Sequence, residues 1–147
     1  MIILAVDLGK VRTGIAVCDK NEILASPLTV IRQTNLEQLA DEIAALAQAQ
    51  RAEALALGHP LNMDGSAGES AQRAEHFAEL LRARTGLPVA LCDERGTTVT
   101  AHRYLSDTDT RGKKRKAVVD AVAAVIILQD YLEYRRLHKG EDRNENH

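Results

Sequence analysis

At 147 residues the chain can bury one hydrophobic core and is too short for two. Hydrophobic residues at 45% and charged ones at 27% describe an ordinary globular protein, and aromatics at 3% without Trp exclude a nucleic-acid grip built mainly on base stacking. The net charge of −2 excludes a uniformly basic surface but not a local basic patch.

Residues 2–6, I-I-L-A-V, are too few for a helix and too apolar for an exposed edge, so they suit a strand buried on both faces. Asp7 falls at its end. A carboxylate there is costly unless a positive group or a metal compensates it, and Gly9 and Gly14 allow a tight turn that keeps it reachable from solvent. Two readings stand side by side: a buried structural Asp satisfied by loop amides, and a metal ligand on the central strand of a sheet.

Residues 13–19 pair with 2–7 as a hairpin, and after a turn at 20–22 residues 23–31 supply a third strand. Thr34 or Asn35 caps a helix whose inward positions are Leu36, Leu39, Ala40, Ile43, Leu46 and Ala47. Residues 53–58, E-A-L-A-L-G, read as a buried parallel strand. The connection 59–69 is long for a compact domain, as functional or mobile loops are. A second helix is expected from about Ser70 to Thr85, with Ala71, Ala74, Phe77, Ala78 and Leu81 inward and Gly86 and Pro88 ending it. Residues 89–94 form the fifth strand. Thr97 or Thr98 caps a further helix through Leu105, a basic loop spans 111–116, and a long final helix runs from about Ala117 to Leu137. The polar stretch from Gly140 is expected to be disordered, giving one domain over 1–138 and a tail at 139–147.

Cys18 and Cys92 lie in expected strands as small hydrophobes, and reduced thiols fit a cytoplasmic protein. The start of the chain has no basic segment with a cleavage site, and no apolar run approaches a membrane span, so no membrane partner is expected.

The order implies an α/β fold. An antiparallel three-stranded meander followed by parallel strands makes a mixed five-stranded sheet with helices on both faces, the strand at 53–58 beside that at 2–6. This is the ribonuclease H-like arrangement, which does not by itself establish a function.

Two further acids bear on Asp7. Glu94, in C-D-E-R-G-T-T, ends the fifth strand, where a carboxylate can reach the same edge. Asp120 is the one charged residue in A-V-V-D-A-V-A-A-V-I-I-L, and its neighbours Ala123 and Ala124 leave space for an ion against the sheet. Three carboxylates from separate elements suit hard cations such as Mg²⁺ or Mn²⁺, and two such ions suit phosphodiester hydrolysis.

The blocks D-L-G-K-V-R-T-G-I-A-V, G-H-P-L-N-M-D-G-S-A-G, D-E-R-G-T-T and V-D-A-V-A-A-V-I-I-L-Q-D-Y-L resemble, in order and over nearly the whole chain to about Leu132, those of the YqgF or RuvX family of ribonuclease H-like nucleases. The resemblance implies a metal-dependent nuclease, acting in Holliday junction resolution or in 5′-end maturation of pre-16S ribosomal RNA, with Asp7, Glu94 and Asp120 as its acids. Gly96 departs from the pattern, which more usually carries a larger residue such as Leu after D-E-R, and this bears on how firmly Glu94 is held.

The run Arg111, Lys113, Lys114, Arg115 and Lys116 concentrates charge just before the helix of Asp120, as a loop holding nucleic-acid phosphates would. The connection at 58–69, with Ser66 and Ser70 before a helix, is either a phosphate site or a plain glycine-rich loop. Arg12 and Arg95 either position phosphate or balance Asp7 and Glu94. The reading is thus a nuclease for structured nucleic acid, as a homodimer if a four-way junction is cut symmetrically. One rival is a nucleic-acid-binding or ribosome-associated module with weak or no catalysis. The other is an actin-like ATPase or kinase half, whose D-x-G turn is similar but which needs two domains.

Overall fold

The computed structural model describes the backbone of residues 1–93 and 112–145, and side chains over 1–93 and 122–138. Five strands, β1 (Ile3–Asp7), β2 (Arg12–Cys18), β3 (Ala25–Arg32), β4 (Ala54–His59) and β5 (Val89–Asp93), form one sheet in the order β3-β2-β1-β4-β5. The first three pair antiparallel, and β1 with β4 and β4 with β5 pair parallel. The mixed sheet expected from the sequence is the sheet observed. Helices α1 (Leu36–Gln50), α2 (Glu69–Thr85) and α3 (Gly112–Glu145) complete the described elements.

Strand alternation divides the core. Leu4, Val6, Ile15, Leu55 and Leu57 meet Leu39, Ile43, Phe77 and Leu81 on the side of α1 and α2. On the opposite side Ile3, Ala5, Ala16, Ala54 and Ala56 meet Ala124, Ile127, Leu128 and Leu132 of α3. The sheet is rich in alanine on that face, so α3 can lie close to the central strands. Near its C-terminal end Arg135 reaches Glu22 in the β2–β3 turn, which puts that part of α3 at the end of the sheet away from Asp7. The helix therefore runs antiparallel to β1, its N-terminal half toward Asp7.

Local chemistry explains the elements and the departures. Asn35 is the N-cap of α1, its side chain accepting from the Gln38 amide at 2.9 Å, and α2 stops at Gly86 in the left-handed region, φ 69°. The third strand starts at Ala25 instead of residue 23. The Asp19 carboxylate accepts from the amides of Ile23 and Leu24 at 2.7 and 3.1 Å, so these residues belong to the turn and are 79% and 63% exposed. The same bonds, that from Leu24 foremost, hold the Asp19 carboxyl below its ordinary range. Pro27 is accommodated because β3 is an edge strand and carries a register shift opposite Ile15 and Ala16.

One expectation near the chain's end is corrected. The basic stretch is not a loop from Gly112 onward: α3 begins there, because Lys and Arg are good helix formers and a like-charge run opposes helix only weakly when solvated. The bounds of α3 extend to Glu145, into the polar stretch after Lys139. The helix expected from Thr97 or Thr98 to Leu105 lies outside the described residues. No helix of the described residues is long and apolar enough to cross a membrane.

Candidate active site

Asp7 is the last residue of β1, partly exposed after four buried residues. It shares the strand face of Ile3 and Ala5, the face covered by α3. Its register partner on β2 is Gly14, and the corresponding face of β4 carries Ala54, Ala56 and Gly58, so the strands beside the carboxylate bring little side-chain bulk.

The turn after Asp7 is fixed from several directions. A Cβ on Gly9 would lie 1.9 Å from the Arg12 carbonyl oxygen, so only glycine fits the path. The Gly9 amide donates to Oγ1 of the fully buried Thr13 at 3.4 Å, and the Gly9 carbonyl accepts from Nη1 of Arg73 in α2 at 3.1 Å. The Gln33 amide donates to the Val11 carbonyl at 2.9 Å, tying the turn to the segment after β3. Arg12 opens β2 and is partly exposed, in register with Arg32.

The other acids are only partly in view. Glu94 follows the last described residue of β5, and Glu94, Arg95 and Arg111 lie outside the described residues. Asp120 belongs to the backbone of α3, as do Lys113, Lys114, Arg115 and Lys116, while their side chains lie outside the described set. Among the described residues no three His, Cys, Asp or Glu side chains gather as metal ligands. Of the three acids, Asp7 is the one whose side chain is among the described residues.

Three features escaped the sequence reading. The ring Nε2–H of His59, at the end of β4, donates to Glu75 of α2 at 3.0 Å. Sixteen residues separate the two, and only the helical phase shared with Ala74 and Ala78 hinted that Glu75 lies near the sheet. The second feature is the Arg73 bond to Gly9. The third is a cleft of about 200 Å³ beside that bond, lined by Leu8, Gly9, Lys10, Pro60, Glu69, Ser70, Arg73 and Ala74. Of the two serines of the connection, for which a phosphate site and a plain loop were both open, Ser70 lines this cleft and Ser66 donates to Asp64 within its own loop at 2.6 Å. A larger cavity, about 680 Å³, lies at the opposite end of the sheet around Glu22, Asp130 and Arg135, away from Asp7.

A Desulfitobacterium hafniense protein (strain DSM 10664 / DCB-2) named "Putative pre-16S rRNA nuclease" is 39% identical over 143 residues, covering 97% of this chain and 99% of that protein. A Kineococcus radiotolerans protein of the same name is 44% identical over 135 residues, covering 90% of this chain and 72% of that protein. Among solved structures, Thermus thermophilus RuvC in complex with Holliday junction substrate superposes with a TM-score of 0.58 at 14% identity, over 92% of this chain and 96% of that one. The fowlpox virus resolvase with junction DNA gives 0.57 at 12% identity, over 91% and 98%. At such identities the likeness shows the fold, which is ribonuclease H-like. The family model described as "RuvX: Holliday junction resolvase" matches residues 1–134, from the first strand into the buried part of α3, and the chain belongs to that family.

Proposed function

We propose that this chain is a divalent-metal-dependent nuclease that hydrolyses phosphodiester bonds in structured nucleic acid, with Asp7, Glu94 and Asp120 as the metal-binding acids. The observation that carries the reading is the placement of Asp7. It stands at the end of the central strand, partly exposed, on the face covered by α3 and beside the small residues Gly14 and Gly58. A carboxylate so placed, with little bulk on the neighbouring strands, fits a hydrated hard cation. Asp120 stands three and four residues before Ala123 and Ala124, both buried, in a helix whose N-terminal half runs toward Asp7. Cys92 of β5 packs on the α3 side, and Glu94 comes two residues after it in the sequence.

Asp7, Glu94 and Asp120 would hold Mg²⁺ or Mn²⁺, which would supply Lewis-acid chemistry at the phosphate and at an attacking water. The chain itself supplies position. The buried β1 and the locked turn at Gly9 hold Asp7 in place, while Lys113, Lys114, Arg115 and Lys116, with Arg111, Arg12 and Arg95, attract backbone phosphates without regard to sequence. The names of the relatives make pre-16S ribosomal RNA and the Holliday junction the two substrates of choice. Symmetric cutting of a junction would call for two copies of the chain.

Both polymers, a pre-16S precursor carrying its 5′ extension and a four-way DNA junction, are incubated with the chain in one buffer with Mg²⁺ or Mn²⁺, because salt alone shifts apparent preference. Cleavage of at least one, lost with EDTA and in Asp7→Asn, is expected. Equal cutting by wild type and Asp7→Asn would refute the assignment.

A further inference from the structure

The exposed large apolar side chains of the described residues divide by location. Ile23, Leu24, Tyr134 and Leu137 lie in the β2–β3 turn and the C-terminal part of α3, at the end away from Asp7. Val11, in the turn after Asp7, and Met63 belong to the other end, Leu91 lies within β5, and Met63, at 83%, is the most exposed of all. Strands β1 and β4 are parallel and in register from Ile3 with Ala54 to Val6 with Leu57, so the loop leaving β4 rises from the same sheet edge as Asp7.

That loop closes on itself. The Asn62 amide donates to the Ser66 carbonyl at 2.9 Å and the Gly65 amide to the Asn62 carbonyl at 2.8 Å, with Gly65 at φ 89°. The Ser66 amide and hydroxyl both donate to Asp64 Oδ1, at 2.9 and 2.6 Å, and Asn62 Nδ2 donates to the Ser66 hydroxyl at 3.0 Å. The polar side chains of the turn are thus spent on holding the turn, and Met63 is the apolar residue at its crown. A single exposed apolar residue is ordinary on a protein surface. This one sits on a turn braced by backbone and side-chain bonds alike, and the same loop gives Pro60 to a cleft lined by two cations, Lys10 and Arg73, against one acid, Glu69. An unbranched apolar chain on a rigid stalk, next to charge that suits phosphate, has the chemistry of a wedge between base steps.

We propose that Met63 is a base-unstacking wedge. With the nucleic-acid backbone against Lys10 and Arg73, its thioether chain enters the stack at a helix discontinuity and holds the strand open beside Asp7. The inference rests on the nucleic-acid reading above. Its ligand is an exposed stacked base step, which a DNA branch point and the end of an RNA stem both offer.

The test uses the full chain as Asp7→Asn, so that strands stay intact, with Met63 or with Met63→Ala or Met63→Leu. Two probes are titrated, a four-way DNA junction with 2-aminopurine at the branch and an RNA stem with 2-aminopurine at its end, each carrying a terminal fluorescein. Anisotropy reports binding, and 2-aminopurine emission reports unstacking. At saturation emission should rise several-fold with Met63 and with Met63→Leu, and stay near the free-probe level with Met63→Ala, whose affinity falls by no more than about tenfold. The probe on which emission rises identifies the polymer that the wedge opens. Because Met63 is exposed, Met63→Ala should melt within about 2 °C of its parent. Binding without a rise, or a rise of equal size in Met63→Ala, overturns the wedge alone. No anisotropy change on either probe, with wild type as with Asp7→Asn, overturns the nucleic-acid reading and the wedge with it.

Discussion

Arg73 of α2 donates its Nη1 to the carbonyl of Gly9 at 3.1 Å across 64 residues of sequence, so the turn that follows Asp7 is pinned by a helix on the other face of the sheet. Replacing Arg73 by Ala removes a charged donor from a partly buried carbonyl, a loss of about 1–2 kcal/mol at most once solvent compensation is allowed. The melting temperature should fall by about 2–8 °C. Nuclease turnover should fall further than stability alone explains, because Asp7 loses part of its frame. Turnover unchanged in the folded variant would show that Asp7 does not depend on this clamp.

Gly9→Ala tests the same turn from within. Its Cβ would meet backbone, the Arg12 carbonyl at 1.9 Å, so no side-chain rotation relieves the clash and the hairpin must open. A cost of about 1–3 kcal/mol is expected, as for overpacking, with most activity lost. Unfolding in urea and single-turnover cleavage measure the two effects. A stability within experimental error of wild type would mean that the turn has another accessible path.

The extent to which these relations could be read in the sequence follows from their range. A cap at Thr34 or Asn35, of which Asn35 is the one used, the inward row of Ala71, Ala74, Phe77, Ala78 and Leu81, and the Gly86 stop are local patterns, and all were legible. The turn at Asp19 was misjudged because Ile23 and Leu24 look like strand residues, while the carboxylate that captures their amides is only four and five positions away. The pairs Arg73 with Gly9 and His59 with Glu75 are contacts between elements, invisible until α2 is laid on the sheet. Charge misled at the start of α3, where a run read as a loop is helix-compatible. Asp7 stands out in the sequence as a candidate because a charge ending an apolar strand contradicts the pattern around it, and its place at the end of β1 was legible from the same run.

Glu22 gives a pH signature at the far end of the sheet. Hydrogen bonding from Arg135, at 2.6 and 3.3 Å, and then from the Met1 ammonium, at 3.1 Å, holds its carboxyl below the ordinary glutamate range against partial burial. A folded-state value lowered in this way stabilises the protein above the ordinary glutamate value, and the gain is lost as pH falls through the lowered one. Glu22→Gln should therefore melt below wild type at neutral pH, with the gap narrowing in acid. A gap constant from neutral to strongly acidic pH would count against the Arg135 pairing.

The basic start of α3 should govern the salt dependence of binding. If Lys113, Lys114, Arg115 and Lys116 each neutralise a phosphate, replacing all four with Gln should lower the slope of log K against log salt by about 3–4 on duplex arms. Affinity should fall similarly on unrelated sequences of one shape, since phosphate contacts carry no base code. An unchanged slope would move the backbone path to another surface.

Asp7→Asn separates the two roles open to that carboxylate. A structural Asp, satisfied by loop amides, loses charge-assisted hydrogen bonds on conversion to Asn, and the fold should weaken by about 1–3 kcal/mol. A metal-binding acid is held close to other carboxylates for the sake of the ion, so without metal it carries repulsion that the amide removes. Metal-free stability should then stay level or rise by about 1 kcal/mol while cleavage is lost, the trade between stability and activity expected at a functional site. Mg²⁺ or Mn²⁺ should raise the melting temperature of the wild type and much less that of Asp7→Asn, because an ion that binds the folded state stabilises it by mass action. Thermal melts of both proteins, in EDTA and across a metal titration, give the answer without a nuclease substrate. A variant that is destabilised in EDTA and still shifted by metal as the wild type is would return Asp7 to a structural role.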